Sequence, residues 1–580
     1  MSIKEKCFWI VTSAWPTINN IPHLGTILQL LSADVLSRYL RLVGEQVISV
    51  SGSDVHGTPV LISSEAENET PEVYSTKIHK IVLELLEKWN IRLDNYSITT
   101  TPYHKNFVQT FYKNLKHQQT IFLARSEQFY CSNCDLFLPD RFIEGTCPIC
   151  KNEKARGDQC PNANCNAILT PEKLINPYCI RCKATPIKRQ TQHWYLDLPQ
   201  FESALKSYIE SNNNFSPLVI NEALKFFEEG LNPRAITRDL SWGIDASFLF
   251  TDQPQKVFYV WSEDVLGYLS ASAEFIDKNY PNLDWKSIWR NPATKTVYCL
   301  GLDNIFFHAI WFPALLLASK ENFVLPTYLS TTQFLQFNGE AFSKSKNIGL
   351  WIDEALEVAQ ADFWRFYLIY YKPDKKSHNF EWETFVKLIN DVLISNIVNL
   401  VYRICSLSWR YNHGKILLKI EFCQASTKEF LLEIEESINN IFEKILKIDS
   451  KSALQQSVLF SKQINSFLSK QEPWKKSNSE FRLEDITLGY IATGFLVYLL
   501  EPVIPTLISQ FKEQLSLKDI HFTSSKFSIL DWFEHTNKII QLPKLKKLIQ
   551  PLVKKDLEKA YQDIKQAKNF EKLSSLSKLL

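Results

Sequence analysis

An excess of charge of one sign is missing from this 580-residue chain: 65 lysines and arginines stand against 63 acids, a formal net charge of +2. That balance excludes a strongly basic polymer binder. Any contact with nucleic acid must come from local patches and shaped grooves. An obvious membrane span is missing too. The uncharged stretch Ile486 to Leu500 is closed by Glu501-Pro502; it falls short of the roughly 20 residues a crossing needs and reads as a buried core helix. No leader is visible. Cys7-Phe8-Trp9-Ile10-Val11 is too short for a signal-peptide core with its cleavage site and reads as a first strand. The expected compartment is the cytosol, with no membrane partner. No internal repeat is evident.

What is present is ordinary globular sequence, 45% hydrophobic and 22% charged, with length for roughly four domains. Twelve cysteines in a cytosolic chain point away from disulfides. Eight form four close pairs: Cys131 with Cys134, Cys147 with Cys150, Cys160 with Cys165, and Cys179 with Cys182. Pairs at this spacing converge thiolates on a tetrahedral ion, so eight cysteines imply two structural zinc sites. The x4 spacing of Cys160 and Cys165 is the least regular. Cys7, Cys299, Cys405 and Cys423 lie in apolar runs and read as core.

The N-terminal part alternates strand and helix. Phe8 to Thr12 reads as a strand and Ser13 to Ile21 as a loop. Pro22 suits a first helical position. Leu24, Ile27, Leu28, Leu31, Val35, Leu36 and Tyr39 keep helical spacing, and Gln46 to Val50 is the next strand, leading into Gly52-Ser53-Asp54. This opening implies a parallel sheet with ligands at the carboxyl ends of its strands. From Tyr130 to Lys188 a cysteine-rich, strand-poor module interrupts. Val257 to Trp261 and Thr296 to Leu300 then read as strands, the second ending in Gly301-Leu302-Asp303. After about Glu381 strands disappear. Leu388, Ile389, Val392, Leu393, Ile397, Leu400, Val401 and Ile404 follow a 3.6 period, and a helix bundle is expected to about Leu517. From Asn537 the tail has eleven lysines and four acids. It reads as a solvated helix face, with nucleic-acid contact as the other reading.

The fold class is therefore α/β: a split Rossmann-type parallel-sheet catalytic domain with a zinc-knuckle insertion, followed by an all-α bundle. The expected divisions are 1–125 (first half of the nucleotide fold), 126–235 (insertion), 236–330 (second half), 331–380 (clamp-loop region), 381–530 (bundle) and 531–580 (lysine-rich helical tail).

Phosphates need fixed donors, and a helix N-terminus supplies N–H groups with a favourable dipole. His23 lies just after a strand, Gly25 lets a ligand approach the backbone, and Thr26 adds a hydroxyl. Far along the chain, Phe342-Ser343-Lys344-Ser345-Lys346 sets a lysine between serines, as suits a mobile clamp on a triphosphate. Each element alone is weak evidence: a lone histidine is more often core or surface, and the serine-lysine run more often a polar loop. Their pairing around a split nucleotide fold is far more specific.

His23-Leu24-Gly25-Thr26 resembles the His-Ile-Gly-His signature of class I aminoacyl-tRNA synthetases, and Phe342 to Ser345 resembles their Lys-Met-Ser-Lys-Ser loop. Ala14-Trp15-Pro16, Asn20-Ile21-Pro22, Gly52-Ser53-Asp54, His56-Gly57-Thr58 and Trp242-Gly243 narrow the resemblance to the methionyl-tRNA synthetases of archaeal type, over roughly residues 7 to 515. The resemblance implies that His23 and Lys344 stabilise the triphosphate, with Pro22, Gly25, Thr26, Ser343 and Ser345 around ATP and Gly301 and Asp303 at its ribose. It implies Asp54 for the methionine ammonium, Arg238 for the carboxylate, and Trp261, Tyr268, His308 and Thr17 around the side chain. Otherwise Trp261 and Tyr268 are core and Arg238 an ion pair. It implies nested metal pairing, with Cys147, Cys150, Cys160 and Cys165 on one zinc and Cys131, Cys134, Cys179 and Cys182 on the other. It implies Asn399, Arg403 and Trp474 as anticodon readers, although a lone Trp after Pro is more often a packed helix end. The implied partners are tRNA(Met), ATP with Mg2+, and methionine. No tRNA-binding OB-fold follows the bundle, and relatives without one are usually monomers, so a monomer is expected.

Five residues depart from the family pattern. Thr17 replaces Tyr, Val55 replaces Glu, Leu302 replaces Lys, Ala341 replaces the first clamp lysine, and Thr26 replaces the second histidine. They define an alternative, a diverged tRNA-binding or regulatory paralogue without full activity. A synthetase for another apolar amino acid is a further alternative, opposed by the compact insertion.

Overall fold

The computed structural model describes residues 7–577 except 163, 164, 166, 168, 229, 252–254, 343–347, 419–423, 519–525, 530–537 and 547–548. Ser343, Lys344 and Ser345 therefore lie outside the described residues. The chain divides into two units. One holds residues 1–22, 48–84 and 93–332; the other holds 23–47, 85–92 and 333–580.

The first unit is built on a five-stranded sheet in the order Tyr328–Thr332, Lys295–Gly301, Phe8–Ser13, Gln46–Ser53, Asn95–Ile98. Its recorded pairings are parallel, with Val11 opposite Val297, Val297 opposite Tyr328, and Val50 opposite Asn95. Trp9 to Ser13 are all buried, as befits a strand covered on both faces. The strand order reverses between Phe8–Ser13 and Lys295–Gly301, the crevice where such sheets bind ligands. The expected nucleotide fold is present.

One expected strand is not. Only Val257–Phe258 is extended, and Val260–Asp264 turns helical. The apolar run is too short to separate strand from helix by pattern.

The insertion hangs on a long antiparallel pair, Ile121–Cys131 with Ile187–Leu196, in register from Ile121 opposite Leu196 to Tyr130 opposite Ile187. Between them, Ile143–Thr146 is flanked by Ala155–Arg156 and Ile175–Cys179. The cysteines share a small core of their own with Phe142, Ile143, Ala155 and Leu174.

The second unit contains the helix Leu24–Leu42, with the predicted apolar face buried. This helix groups with the C-terminal residues, although its sequence position suggests the nucleotide fold. One reason is a fully buried ion pair. Arg365 Nη2 lies 2.7 Å from Asp34 Oδ2, both side chains at 0% exposure. The guanidinium also donates to the carbonyls of Trp89 at 3.1 Å, Asn90 at 3.0 Å, Pro502 at 2.8 Å and Val503 at 2.8 Å. A buried charge is tolerable when its donors are satisfied in this way.

The bundle follows as Ala425–Leu446, Ser450–Gln471, Ser479–Leu500 and Pro505–Leu515. Ser479–Leu500 is buried all round from Asp485 onward. It reaches back past Ile486, so by length and composition alone it could cross a membrane. The 3.6-period stretch is wound wider than expected: Leu388–Val398 is π-helical before Asn399–Asn412 resumes the α-helix. Strands also reappear, since Lys415–Leu418 pairs antiparallel with Lys538–Gln541.

Candidate active site

In the first unit, the loop after the first strand is pinned to the end of the second. The N–H of Asp54 donates to Pro16 O at 3.0 Å, and that of Ile18 donates to Asp54 O at 3.0 Å. Two glycines make room for the loop's Trp15. A Cβ on Gly52 would lie 2.5 Å from the indole, and one on Gly267 2.7 Å from it. Asp54 is 4% exposed. Thr17 Oγ1 donates to its Oδ2 at 2.8 Å, and the His56 N–H to its Oδ1 at 3.3 Å. Among the described residues no lysine or arginine bonds to it. Burial first, then the charge of Glu263, raises Asp54 to about 7. This carboxylate is one cation short.

Next to it lies a polar network of which the motifs had included only His56. His56 Nδ1 is 2.5 Å from Glu263 Oε1, His104 Nε2 is 3.3 Å from Glu263 Oε2, and His104 Nδ1 is 2.8 Å from Ser270 Oγ. Burial lowers His56 to about 4 and raises Glu263. Asp264 is 2% exposed, and its Oδ1 has no hydrogen-bond partner. Burial, then Asp54, then Glu263, holds it well above the usual carboxylate range. Adjacent acids in an apolar run, Glu263-Asp264 before Val265-Leu266, were the available signal in the sequence.

Trp261 stacks on Phe307 with ring centroids 3.8 Å apart. Tyr268 is fully buried and bonds through its hydroxyl to His308 Nε2 at 2.7 Å. His308 Nδ1 is 2.9 Å from Asn304 O. A carbonyl can only accept, so Nδ1 carries the proton and Nε2 accepts from Tyr268. Burial lowers the ring to about 4, which keeps it neutral. Arg238 takes the ion-pair arrangement: its Nε is 3.5 Å from Asp140 Oδ2, its guanidinium lies 3.8 Å from the Tyr259 ring centroid, and Nη1 donates to Ala235 O and Thr237 O. Gly301 ends its strand, and exposed Asp303 follows in a single helical turn.

In the second unit, His23 is the N-cap of Leu24–Leu42. The helix thus begins two residues later than Pro22 suggests, and the His23 ring satisfies its first free amides. The Gly25 N–H donates to His23 Nδ1 at 3.1 Å and the Thr26 N–H at 3.2 Å. Nδ1 is then an acceptor, so Nε2 bears the hydrogen. Thr26 Oγ1 lies 3.4 Å from Nε2. Desolvation lowers the ring to about 4. Phe342 stacks on it at 4.5 Å between centroids, 9° from parallel.

The eight paired cysteines form two clusters, Cys131, Cys134, Cys179 and Cys182, and Cys147, Cys150, Cys160 and Cys165, each with sulfurs within 4.8 Å of one another. This is the nested arrangement, and it includes the irregular pair. Separations include 3.3 Å for Cys131–Cys182, 3.9 Å for Cys134–Cys179, 3.9 Å for Cys147–Cys165 and 3.5 Å for Cys150–Cys160. A disulfide needs about 2.04 Å. A tetrahedron with ~2.3 Å metal–thiolate bonds has edges of about 3.8 Å. The donor set fits a metal ion. Backbone N–H groups, of Asn152 and of Ala184, contribute most to lowering Cys150 and Cys182 to about 7.

A family model, tRNA synthetases class I (M), matches residues 9–405. The methionine–tRNA ligase of Korarchaeum cryptofilum is 42% identical over 513 residues, which cover 88% of this chain and 90% of that protein. The chain belongs to the class I methionine–tRNA ligase family. Its relative from Saccharolobus solfataricus is 37% identical over 567 residues, 96% of this chain and 98% of that one. A solved structure, Mycobacterium tuberculosis methionyl-tRNA synthetase in complex with methionyl-adenylate, superposes with a TM-score of 0.75 at 20% identity, covering 94% of this chain and 100% of that one. At that identity the likeness speaks for the fold.

Within this ligase family member, the bundle brings two of three expected anticodon residues together. Arg403 lies 5.0 Å from the Trp474 ring centroid and donates from Nη2 to Ser469 Oγ at 3.2 Å. Asn399 is exposed at the start of the same helix. Two of the departures from the family pattern, Thr17 and Val55, have defined surroundings. Thr17 supplies a donor to Asp54, and Val55 is fully buried, its carbonyl accepting from Trp242 Nε1 at 2.6 Å.

Proposed function

We propose that the residues described above divide the work of methionine activation as follows. As a methionine–tRNA ligase, the chain joins methionine and ATP into methionyl-adenylate with release of pyrophosphate, and then passes the aminoacyl group to the 3′ end of tRNA. The observation that carries the reading is Asp54: a buried carboxylate oriented by Thr17 and the His56 amide, raised by burial, with no lysine or arginine bonded to it among the described residues. An incoming ammonium completes it. Trp261 and Tyr268 give the thioether an aromatic wall, which suits a polarisable sulfur, and His308 fixes the Tyr268 hydroxyl.

The methionine carboxylate attacks the α-phosphorus, and negative charge gathers on the departing pyrophosphate. His23 meets this charge as a neutral donor, because its Nδ1 accepts from the Gly25 and Thr26 amides and its Nε2–H, 3.4 Å from Thr26 Oγ1, is the ring's one donor. Lys344, between Ser343 and Ser345 in the chain, contributes positive charge. Gly25 and Thr26 in the first turn of the helix, and Pro22 before it, serve ATP, and Gly301 and Asp303 hold the ribose. Mg2+ accompanies ATP and shields its phosphates. Arg238 serves the substrate carboxylate only by leaving Asp140.

Zinc is the metal for the two cysteine clusters, where it supplies structure. The partner is tRNA(Met), whose anticodon bases stack on Trp474 and bond to Asn399 and Arg403. The functional divisions are those expected from sequence, 1–125, 126–235, 236–330, 331–380, 381–530 and 531–580, in a cytoplasmic monomer.

Methionine-dependent ATP–pyrophosphate exchange tests the reading. Exchange with methionine and not with leucine or valine supports it. No exchange at saturating methionine, with tRNA binding intact, would identify a non-aminoacylating paralogue instead.

A further inference from the structure

The lysine-rich tail reads from sequence as a solvated face, and most of it is one: Lys555, Lys559 and Lys568 are exposed on the helix Lys554–Ser577. A stripe at four-residue spacing is different. Leu557, Tyr561 and Lys565 are buried, Lys565 at 7% exposure. A lysine on the buried stripe of an otherwise polar helix requires a partner. The partner is Glu354, 1% exposed, with its Oε2 2.9 Å from Lys565 Nζ.

Glu354 is not an isolated acid. The same Oε2 accepts the Trp351 N–H at 3.1 Å, and Oε1 lies 2.9 Å from Lys568 Nζ. The Lys565 ammonium lies 4.3 Å from the Trp351 ring centroid. Tyr561 Oη donates to Gly349 O at 3.2 Å, and its ring packs 5.4 Å from Phe337 and 5.7 Å from Trp382. The tail therefore grips Gly349 to Glu354 from one side.

The other side of that segment holds His23. Trp351 and His23 form an antiparallel bridge, and the Leu24 N–H donates to Leu350 O at 3.1 Å. Gly349, at φ +124°, is in a conformation that favours glycine, and a Cβ there would collide with Phe342, the ring stacked on His23. An unbroken series of contacts thus runs from the tail helix to the one described residue assigned to the triphosphate.

The geometry points to Lys565 and Tyr561 as positioning residues for His23, acting through the Gly349–Glu354 segment. They touch neither substrate. Lys565 neutralises Glu354 so that Glu354 can cap Trp351, and Trp351 fixes the backbone against which His23 is set. The inference rests on the reading of His23 as an ATP-contacting donor.

The test is a double-mutant cycle on the full chain, read in pyrophosphate exchange. The variants are Lys565→Met, Lys565→Arg, Tyr561→Phe and His23→Asn, with the pair His23→Asn/Lys565→Met. Lys565→Met should lower kcat/KM for ATP by about tenfold while the methionine KM stays within about twofold. Lys565→Arg should recover most of the loss. The paired variant should be no worse than His23→Asn alone, because a misplaced residue that is already removed cannot be misplaced further. Tyr561→Phe deletes one hydroxyl and keeps the packing, so it carries the test if Lys565→Met fails to fold; a smaller loss confined to ATP is expected. Additive effects of His23→Asn and Lys565→Met, or equal losses for both substrates in step with a fall in Tm, overturn the inference. If His23→Asn itself leaves kcat/KM for ATP unchanged, the assignment of His23 and this inference fall together. If His23→Asn is impaired and neither Lys565→Met nor Tyr561→Phe is, only the inference falls.

Discussion

The cysteine module and the lysine-rich tail both stand out by composition, yet composition means different things in the two places. In the module, all eight paired cysteines converge in two clusters. In the tail, most described lysines face solvent, while Lys565 and the uncharged Tyr561 make the buried contacts. Within each cysteine pair a turn a few residues long brings the two thiols together, so spacing specifies the pairs; the long antiparallel strands Ile121–Cys131 and Ile187–Leu196 bring the outer two pairs to one cluster. The tail's partners, Gly349 and Glu354, lie about two hundred residues earlier, and no spacing rule reaches that far.

The comparison breaks most sharply if metal is removed. Chelation should unfold the module, because ion binding supplies roughly 10–16 kcal/mol to a structural site of this kind. Cys147→Ser should leave one metal per chain in place of two, read by metal analysis, with new protease cleavage confined to about residues 143–180. A fully folded, protease-resistant apo module would contradict the local reading.

The strongest tertiary counterpart is the buried Arg365–Asp34 pair. Asp34→Asn should destabilise by about 3–5 kcal/mol in denaturant titration, since it strands a buried guanidinium. Arg365→Met/Asp34→Leu should recover much of that loss. If the single variant costs no more than an exposed ion pair, the long-range pair is not what organises this unit.

Asp54 sits between the two cases, held by a neighbouring loop and sensitive to its surroundings. Asp54→Asn should raise the methionine KM by about a hundredfold, with the ATP KM little changed. The ammonium binds the ionised form, and burial has raised Asp54 to about 7. The methionine KM should therefore be lowest above pH 7 and rise as pH falls, by up to about tenfold per unit. The linkage to stability runs the other way. Over about pH 4–7 the folded chain holds a proton that the unfolded chain has released, so this group's contribution to stability declines as pH rises through that window. Methionine should offset the decline. A methionine KM independent of pH between 5.5 and 8 would remove Asp54 from the ammonium site.

The smallest effect is expected at Thr17. Thr17→Val removes one donor to Asp54 and should raise the methionine KM a few-fold, about 1 kcal/mol for one hydrogen bond. Thr17→Ser should be nearly silent. A larger effect than Asp54→Asn would mean that Thr17 acts on the substrate directly.

Much of the fold was legible. Apolar runs with turn signals at Gly52-Ser53-Asp54 and Gly301-Leu302-Asp303 marked strand ends, and the parallel sheet follows from them. Val257 to Trp261 was misread because a five-residue apolar run has no period to decide it. The return of strands at Lys415–Leu418 was invisible because its partner, Lys538–Gln541, is a long way off in sequence. The expectation that Asp54, Trp261, Tyr268 and His308 serve the amino acid came from the family resemblance rather than from the residues' own pattern. The joining of Glu263, His56 and His104 was not legible, because three separated polar residues become one network only when folded.

By itself the sequence determined the elements whose causes are local: helix faces from 3.6-residue spacing, strand ends from turn residues, and metal ligands from paired cysteines. Only the tertiary structure decided which charges are buried and against what. It set Arg365 on Asp34, Lys565 on Glu354, Arg238 on Asp140, and His23 as the cap of its own helix. The physical reason is that a charged side chain's role depends on its desolvation and its partner. Both are properties of the packed chain rather than of the residues beside it.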